Sequence, residues 1–153
     1  MFKAATAAVL VAFSAPVNAQ VITECDGWLA SPANIVEPWE LNSRTYANGA
    51  IRVAWIDTGG EPVCCSSHFL VLSPSGEVDG PAYRQCRIVS AQPGLGFYGI
   101  DIQGIVASYD PNSGLLLSVP VDHWHQGMET GAPPIPDRMD IRINQATGSV
   151  TYE

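Results

Sequence analysis

Two histidines stand one residue apart near the end of an apolar stretch, a spacing that suits metal binding. The segment reads Asp122-His123-Trp124-His125-Gln126-Gly127-Met128-Glu129. Residues two apart in a strand face the same side, so the imidazoles of His123 and His125 can reach one ion. Asp122, Glu129 or the upstream His68 would be further ligands. Such a site would favour copper, with zinc next.

The His-x-His-x3-Glu spacing of His123, His125 and Glu129 resembles the core motif of the cupin family, a group of double-sheet barrels that often hold a metal. The resemblance covers about seven residues. It implies that these three side chains would be the metal ligands. Leu117 and Pro136 stand where the family pattern has glycine, and no histidine follows His125. We therefore assign the chain to no family.

Residues 94–99 fit the pattern Gly-x-Gly-x-x-Gly. In a dinucleotide-binding fold those glycines follow a strand and open a helix. Here they lead into a strand pattern, in which Tyr98, Ile100 and Ile102 alternate with Gly99 and Asp101. We predict a turn that enters a strand, with Tyr98 on the face of the two isoleucines, and no nucleotide site.

A nucleophile and a base are neighbours in Cys64-Cys65-Ser66-Ser67-His68. Residues this close in a strand seldom form a catalytic pair, because the partner normally comes from elsewhere in the fold. No Gly-x-Ser-x-Gly elbow occurs in the sequence. We predict no catalytic residue, and a hydrolytic enzyme is only the third functional interpretation.

The tryptophans are candidates for binding. Trp55 alternates with Ile51 and Val53, which favours a place in the core. Trp124 faces away from His123 in a strand, and it is the tryptophan that we single out as a candidate for exposure, with a place in the fold's interior as the alternative. Exposed aromatic side chains on a β surface are typical of sites for saccharides or partner proteins.

All four cysteines follow the first 19 residues, and we expect two disulfides. Cys64 and Cys65 are adjacent, so in a strand their side chains point to opposite faces. This favours a bond from each of them to a different partner, Cys25 or Cys86. The alternative is a bond between the two neighbours.

Short apolar or alternating stretches predict about seven strands. They are residues 51–57, 68–72, 83–90, 97–109, 115–121, 140–143 and 149–152. The fourth is expected to bend at Gly99 or Gly104. Pro120 marks the fifth as an edge strand or as the end of a strand, because proline lacks an N–H for the ladder.

Two stretches with the pattern Asx-x-x-(Ser/Thr)-Gly predict hairpin turns, residues 110–114 and 144–148. An Asx side chain can accept hydrogen bonds from the backbone two residues on, and glycine takes the positive φ that ends such a loop. Nearly seven short strands with closely spaced turns indicate a single all-β domain. We expect a small β-sandwich or open barrel of antiparallel strands, stapled by disulfides.

The first 19 residues have the basic start, short apolar run and small residues of a cleaved secretory signal. Residues 20–50 are predicted to be an irregular segment that packs on the domain, with a helical turn at Pro38–Ser43, and residues 51–153 to be the β-domain. We expect a protein exported to the periplasm or outside the cell and not inserted in a membrane. The short, alanine-rich signal favours a bacterial source.

The net charge of −8 excludes a nucleic-acid partner, because seven basic residues against fifteen acidic ones cannot displace counterions from a polyanion. Lys3 is the only lysine and lies in the signal, which excludes Schiff-base and phosphate-loop chemistry. The leading interpretation is a non-catalytic binding or envelope-accessory module for a protein or a saccharide, without a cofactor. The alternative is a periplasmic copper- or zinc-binding protein using His123 and His125.

Overall fold

The computed structural model describes residues 20–60, 63–77 and 83–153, so the predicted signal lies outside the described part of the chain. Two antiparallel sheets pack face to face and share one apolar core. Within the described ranges the sheets form no closed barrel. The protein is a small all-β sandwich, which confirms the predicted fold class.

The first sheet has five strands in the spatial order β1-β5-β4-β3-β2. Their bounds are β1 Val21–Glu24, β2 Ser43–Tyr46, β3 Ile51–Asp57, β4 Ser67–Pro74 and β5 Arg84–Ser90. Residues 20–50, the predicted irregular segment, thus supply both edge strands of this sheet. The predicted helical turn is present as helix α1, Trp39–Asn42. No helix in the described part of the chain is long and apolar enough to cross a membrane.

The second sheet is built around its longest strands, β8 and β9. Its members are β6 Gly99–Ile100, β7 Val106–Asp110, β8 Gly114–His123, β9 Ile135–Asn144 and β10 Ser149–Tyr152. The order is β10-β9-β8, and both β6 and β7 pair with the free side of β8. The described residues therefore form ten strands rather than about seven, because the short strands at 21–24 and 43–46 have no clear sequence signal and the predicted strand 97–109 is divided into β6 and β7.

The predicted strand 97–109 is interrupted at a turn. The Asp101 carboxylate accepts hydrogen bonds from the backbone N–H groups of Gln103 and Gly104, at 2.9 and 3.0 Å. This turn separates β6 from β7 and lies opposite Pro120, whose carbonyl accepts the Asp101 N–H at 3.0 Å. Pro120 therefore lies within the central strand β8, and the predicted edge position is wrong. Its missing N–H falls where the neighbouring strand is broken, so no ladder bond is lost.

The two predicted hairpin turns are confirmed in detail. Asp110 Oδ1 accepts the backbone N–H groups of residues 112 and 113, at 2.8 and 2.9 Å. Asn144 Oδ1 accepts those of residues 146 and 147, at 3.0 and 3.3 Å. Gly114 and Gly148 end the turns with φ angles of 94° and 72°. The two backbone hydrogen bonds from residues 112 and 113 also lower the pKa of the Asp110 carboxyl, because they stabilise its charged form.

Alternate residues of the inner strands fill the space between the sheets. Phe69, Leu117 and Ile141 are among the side chains fully excluded from solvent there. The opposite, outer face of the first sheet carries a second apolar cluster, where Ile56 and Ile88 are covered by residues from the 25–35 segment. That segment is tied to the sheet by a disulfide between Cys25 and Cys86.

The second disulfide joins the neighbours Cys64 and Cys65. The favoured pairing of each with Cys25 or Cys86 is therefore wrong, and the alternative that the sequence left open is correct. The reason is local. Residues 63 and 64 lie in a turn, and residues 65 and 66 connect that turn to β4 without belonging to a strand. The alternation that would send the two side chains to opposite faces does not apply there.

Candidate ligand-binding cleft

An open cleft lies at the end of the sandwich where β8 finishes and β9 begins. It consists of two depressions of about 510 and 550 Å³ that share Tyr98 and Trp124. Cys65 lines the first depression and Cys64 lines the second, so the disulfide contributes to both. We call this combined surface the aromatic cleft. Its other polar lining includes Gln92, His123, Asp137 and Glu129.

The two aromatic side chains are partly open to solvent. Trp124, the candidate for exposure, is 38% exposed, and Tyr98 is 46% exposed. The prediction that Tyr98 shares the face of Ile100 and Ile102 is wrong, since both isoleucines are buried. Phe97 is fully buried instead, and the chain turns after it, which directs Tyr98 outward. Trp55 is only partly buried and packs against the inner core.

Residues 94–99 hold the disulfide in place from the other side of the cleft. The Gly96 N–H donates to the Cys65 carbonyl at 2.8 Å, and Phe97 and Ser67 exchange backbone hydrogen bonds at 2.7 and 3.2 Å. A Cβ at residue 96 would overlap the Ser67 carbonyl and lie 2.7 Å from the Cys65 oxygen. The glycine thus serves close approach of two backbones, and the segment enters a strand as predicted.

His123 is held in a fixed orientation at the base of the cleft. Its Nε2 lies 3.3 Å from Asp137 Oδ2, across the β8–β9 ladder. Its ring meets Phe97 edge to face, with centroids 5.5 Å apart. The imidazole and the carboxylate together offer a hydrogen-bond donor and acceptors to a ligand. Sequence reasoning singled out His123 and missed Asp137, whose only signal is its register opposite the end of β8.

His125 does not join His123 as a free imidazole. Its Nε2 donates to the Pro133 carbonyl at 2.8 Å, and its Nδ1 accepts the Gly127 N–H at 3.2 Å. It thereby caps the 3-10 turn at residues 126–130. A metal would have to displace one of these bonds.

The other predicted ligands are dispersed. Asp122 lines a separate small pocket, Glu129 lines the Cys64 side of the cleft, and His68 lies in the other sheet. Among the described residues, no group of three or more His, Cys, Asp and Glu is placed to hold a metal ion. The copper or zinc site stays a prediction.

The Cys64–His68 segment yields no internal nucleophile–base pair. Both cysteines are in the disulfide, and the ring of His68 bonds to Ser90, 22 residues along the chain. The distance from His68 Nδ1 to Ser90 Oγ is 2.8 Å, and both side chains are buried. The hydrogen-bond partner of His68 therefore lies on the neighbouring strand β5 and not within the segment.

The charged side chains that line the aromatic cleft are acidic. Asp137 and Glu129 contribute carboxylates, and no arginine from the described residues lines either depression. A phosphate or sulfate group would find no cation there to replace its hydration. Comparison of the chain with known protein families, with curated proteins and with solved structures finds no match in any of the three.

Proposed function

We propose that this protein is an exported, non-catalytic binding module whose aromatic cleft holds a neutral saccharide. The observation that carries the proposal is the pair of partly exposed rings, Tyr98 and Trp124, beside the His123–Asp137 pair. A pyranose has an apolar face of C–H groups and a rim of hydroxyls. The aromatic faces suit the former, and the imidazole and carboxylate suit the latter.

The charge of the cleft supports a neutral ligand over an acidic one. Carboxylates from Asp137 and Glu129 would repel uronic acids, sialic acids and phosphorylated sugars. A carboxylate accepts two hydroxyl hydrogen bonds from a neutral sugar at no such cost. The favoured ligand is therefore an uncharged hexose chain.

The Cys64–Cys65 disulfide supports the proposal through rigidity. It fixes two neighbouring side chains that each line one depression of the cleft, and the Gly96 and Phe97 N–H groups donate to the Cys65 and Ser67 carbonyls. A cleft ordered before the ligand arrives loses less conformational entropy on binding. Disulfides also favour the oxidising compartment outside the cytoplasm.

The test is binding to a microarray of neutral and acidic glycans. We expect retention on neutral hexose glycans, and loss of about tenfold or more in affinity for Trp124→Ala and for Tyr98→Ala, since central aromatic residues dominate such sites. Trp39→Ala is the matched control, because Trp39 is 50% exposed on α1 and does not line the cleft. Equal loss in the control, or retention on acidic glycans alone, would contradict the proposal.

A further inference from the structure

A second pocket, of about 220 Å³, lies on the outer face of the first sheet and does not include Tyr98 or Trp124. Its lining runs from the 21–29 segment to the buried pair His68 and Ser90. The pocket therefore sits between the covering segment and the sheet, and it shares Gln92 but neither ring with the aromatic cleft.

His68 leaves one ring nitrogen for a ligand. The side chain is only 3% exposed, and Nδ1 is engaged by Ser90 Oγ at 2.8 Å. Nε2 has no hydrogen-bond partner among the described residues. Nε2 is not among the side-chain atoms that are both fully excluded from solvent and unbonded, so it stays accessible to a small ligand in the pocket that His68 lines.

The chemical character of the pocket favours a cation. Glu24 and Asp26 lie at its rim, and Trp28, 64% exposed, offers an aromatic face. Glu24 has an ion-pair partner, Arg87, at 3.4 Å, whereas Asp26 has none in the described part of the chain. The described lining contains no arginine or lysine. Burial lowers the pKa of His68, so the ring stays neutral and keeps a lone pair at neutral pH.

We propose that this pocket is a second binding site and that it takes a small primary ammonium compound. Asp26 and the face of Trp28 would match its charge. With the His68 proton on Nδ1, that N–H donates to Ser90 and Nε2 accepts an ammonium N–H. Nothing in this site depends on Tyr98 or Trp124, so it can be tested apart from the cleft.

The test uses benzylamine, a cation at neutral pH, and benzyl alcohol as its uncharged counterpart. Nitrogen-15 NMR of the histidine rings of the folded protein reports both binding and the protonated ring nitrogen. We expect saturable benzylamine binding that moves the His68 Nε2 signal, and no such change with benzyl alcohol. An Nε2 that carries the proton in the free protein, or a benzyl alcohol affinity equal to that of benzylamine, would overturn the proposal.

Surface variants give the second arm, because Asp26 and Trp28 are exposed and their replacement leaves the core intact. Asp26→Asn and Trp28→Ala should each weaken benzylamine binding by about two- to fivefold. Glu77→Gln and Trp39→Ala are the controls for charge and ring, and both should keep the affinity, as should Trp124→Ala. Equal weakening by Asp26→Asn and Glu77→Gln would show a general charge effect and refute the site.

Discussion

The two ends of the β8–β9 ladder are assembled in different ways. At the end with Gly114 and Asn144, each turn is held by hydrogen bonds within its own five residues. The backbone N–H groups donate to the carboxylate of Asp110 in one turn and to the amide oxygen of Asn144 in the other. At the other end, the aromatic cleft draws side chains from several separate stretches of chain. Four of them are residues 64–65, 98, 123–124 and 137, and Gln92 and Glu129 add two more.

This difference between the two ends indicates which residues contribute to stability and which contribute to binding. The turn end is specified by five-residue patterns and anchors the scaffold. The cleft end exists only after the sheets have assembled, and its parts are joined by the Cys64–Cys65 link and the bonds of Gly96 and Phe97. Damage to the scaffold should therefore lower the free energy of unfolding, and damage to the cleft should lower affinity.

The largest stability effect should come from the long-range disulfide. Replacing Cys25 and Cys86 with alanine opens a link between residues 61 apart in sequence. We expect a loss of about 4 kcal/mol in the free energy of unfolding, measured in denaturant, from the entropy returned to the unfolded chain. Saccharide affinity of the folded protein should be retained. A large loss of affinity at unchanged stability would break the comparison.

Gly148→Ala should give the next largest effect. The residue has a φ of 72°, and a Cβ there would overlap the backbone of Ser75. Strain and overlap together should lower the free energy of unfolding by about 3 kcal/mol. The control is Gly49→Ala, at a φ of 85° with nothing within 4 Å of its added Cβ. It should lose only about 1 kcal/mol, and equal losses would show that the close approach to Ser75 has no energetic role.

Gly96→Ala should affect both stability and binding. Its Cβ would push the 65–67 backbone away from the Gly96 strand entry and carry the disulfide with it. We expect a loss of about 2 kcal/mol in unfolding free energy and about tenfold in saccharide affinity, by titration calorimetry. Gly94→Ala, whose Cβ meets nothing within 4 Å, is the control and should keep the affinity. If the Gly96 variant kept full saccharide affinity, the position of the disulfide would not matter for binding in the cleft.

Removing the adjacent disulfide should sharpen the contrast further. Replacing Cys64 and Cys65 with alanine frees almost no chain, since the residues are neighbours. The free energy of unfolding should fall by no more than about 1 kcal/mol. Saccharide affinity should fall about fivefold, because the cleft becomes less ordered before binding. Thermal and denaturant unfolding measure the first quantity and calorimetry the second; a stability loss like that of the Cys25 and Cys86 variant would contradict the account.

The free energy of unfolding should depend on pH through His68, which lies on the outer face of the first sheet and at neither end of the β8–β9 ladder. Burial lowers the pKa of His68 in the folded protein below 6.5, against a weaker opposite effect of Asp57. The unfolded chain therefore binds this proton first as the pH falls, and the free energy of unfolding decreases below about pH 6.5. His68→Gln should flatten that decline in denaturant curves at pH 7.5, 6.5 and 5.5. An unchanged slope would locate the titrating group elsewhere.

The sequence predicted the parts of the molecule that depend on neighbours along the chain. The hairpin turns, the strand at 51–57 and the helical turn at 38–43 follow from side chains within a few residues of one another. Contacts across the fold were not accessible in this way. Asp137 meets His123 through strand register, and Ser90 meets His68 from another strand. The bond between the neighbours Cys64 and Cys65 was missed for another reason, because the segment is not the strand that the alternation argument assumed.

The most direct test of the central claim is to map the bound saccharide by NMR, using the neutral glycan that the protein retains most strongly. Chemical-shift changes should be confined to the side chains and backbone of Tyr98, Trp124, His123 and the Cys64–Cys65 link. The indole N–H of Trp124 should shift most, and that of Trp39 should not move. Changes that cluster elsewhere, or the absence of any retained neutral glycan, would contradict the assignment of the aromatic cleft as the binding site.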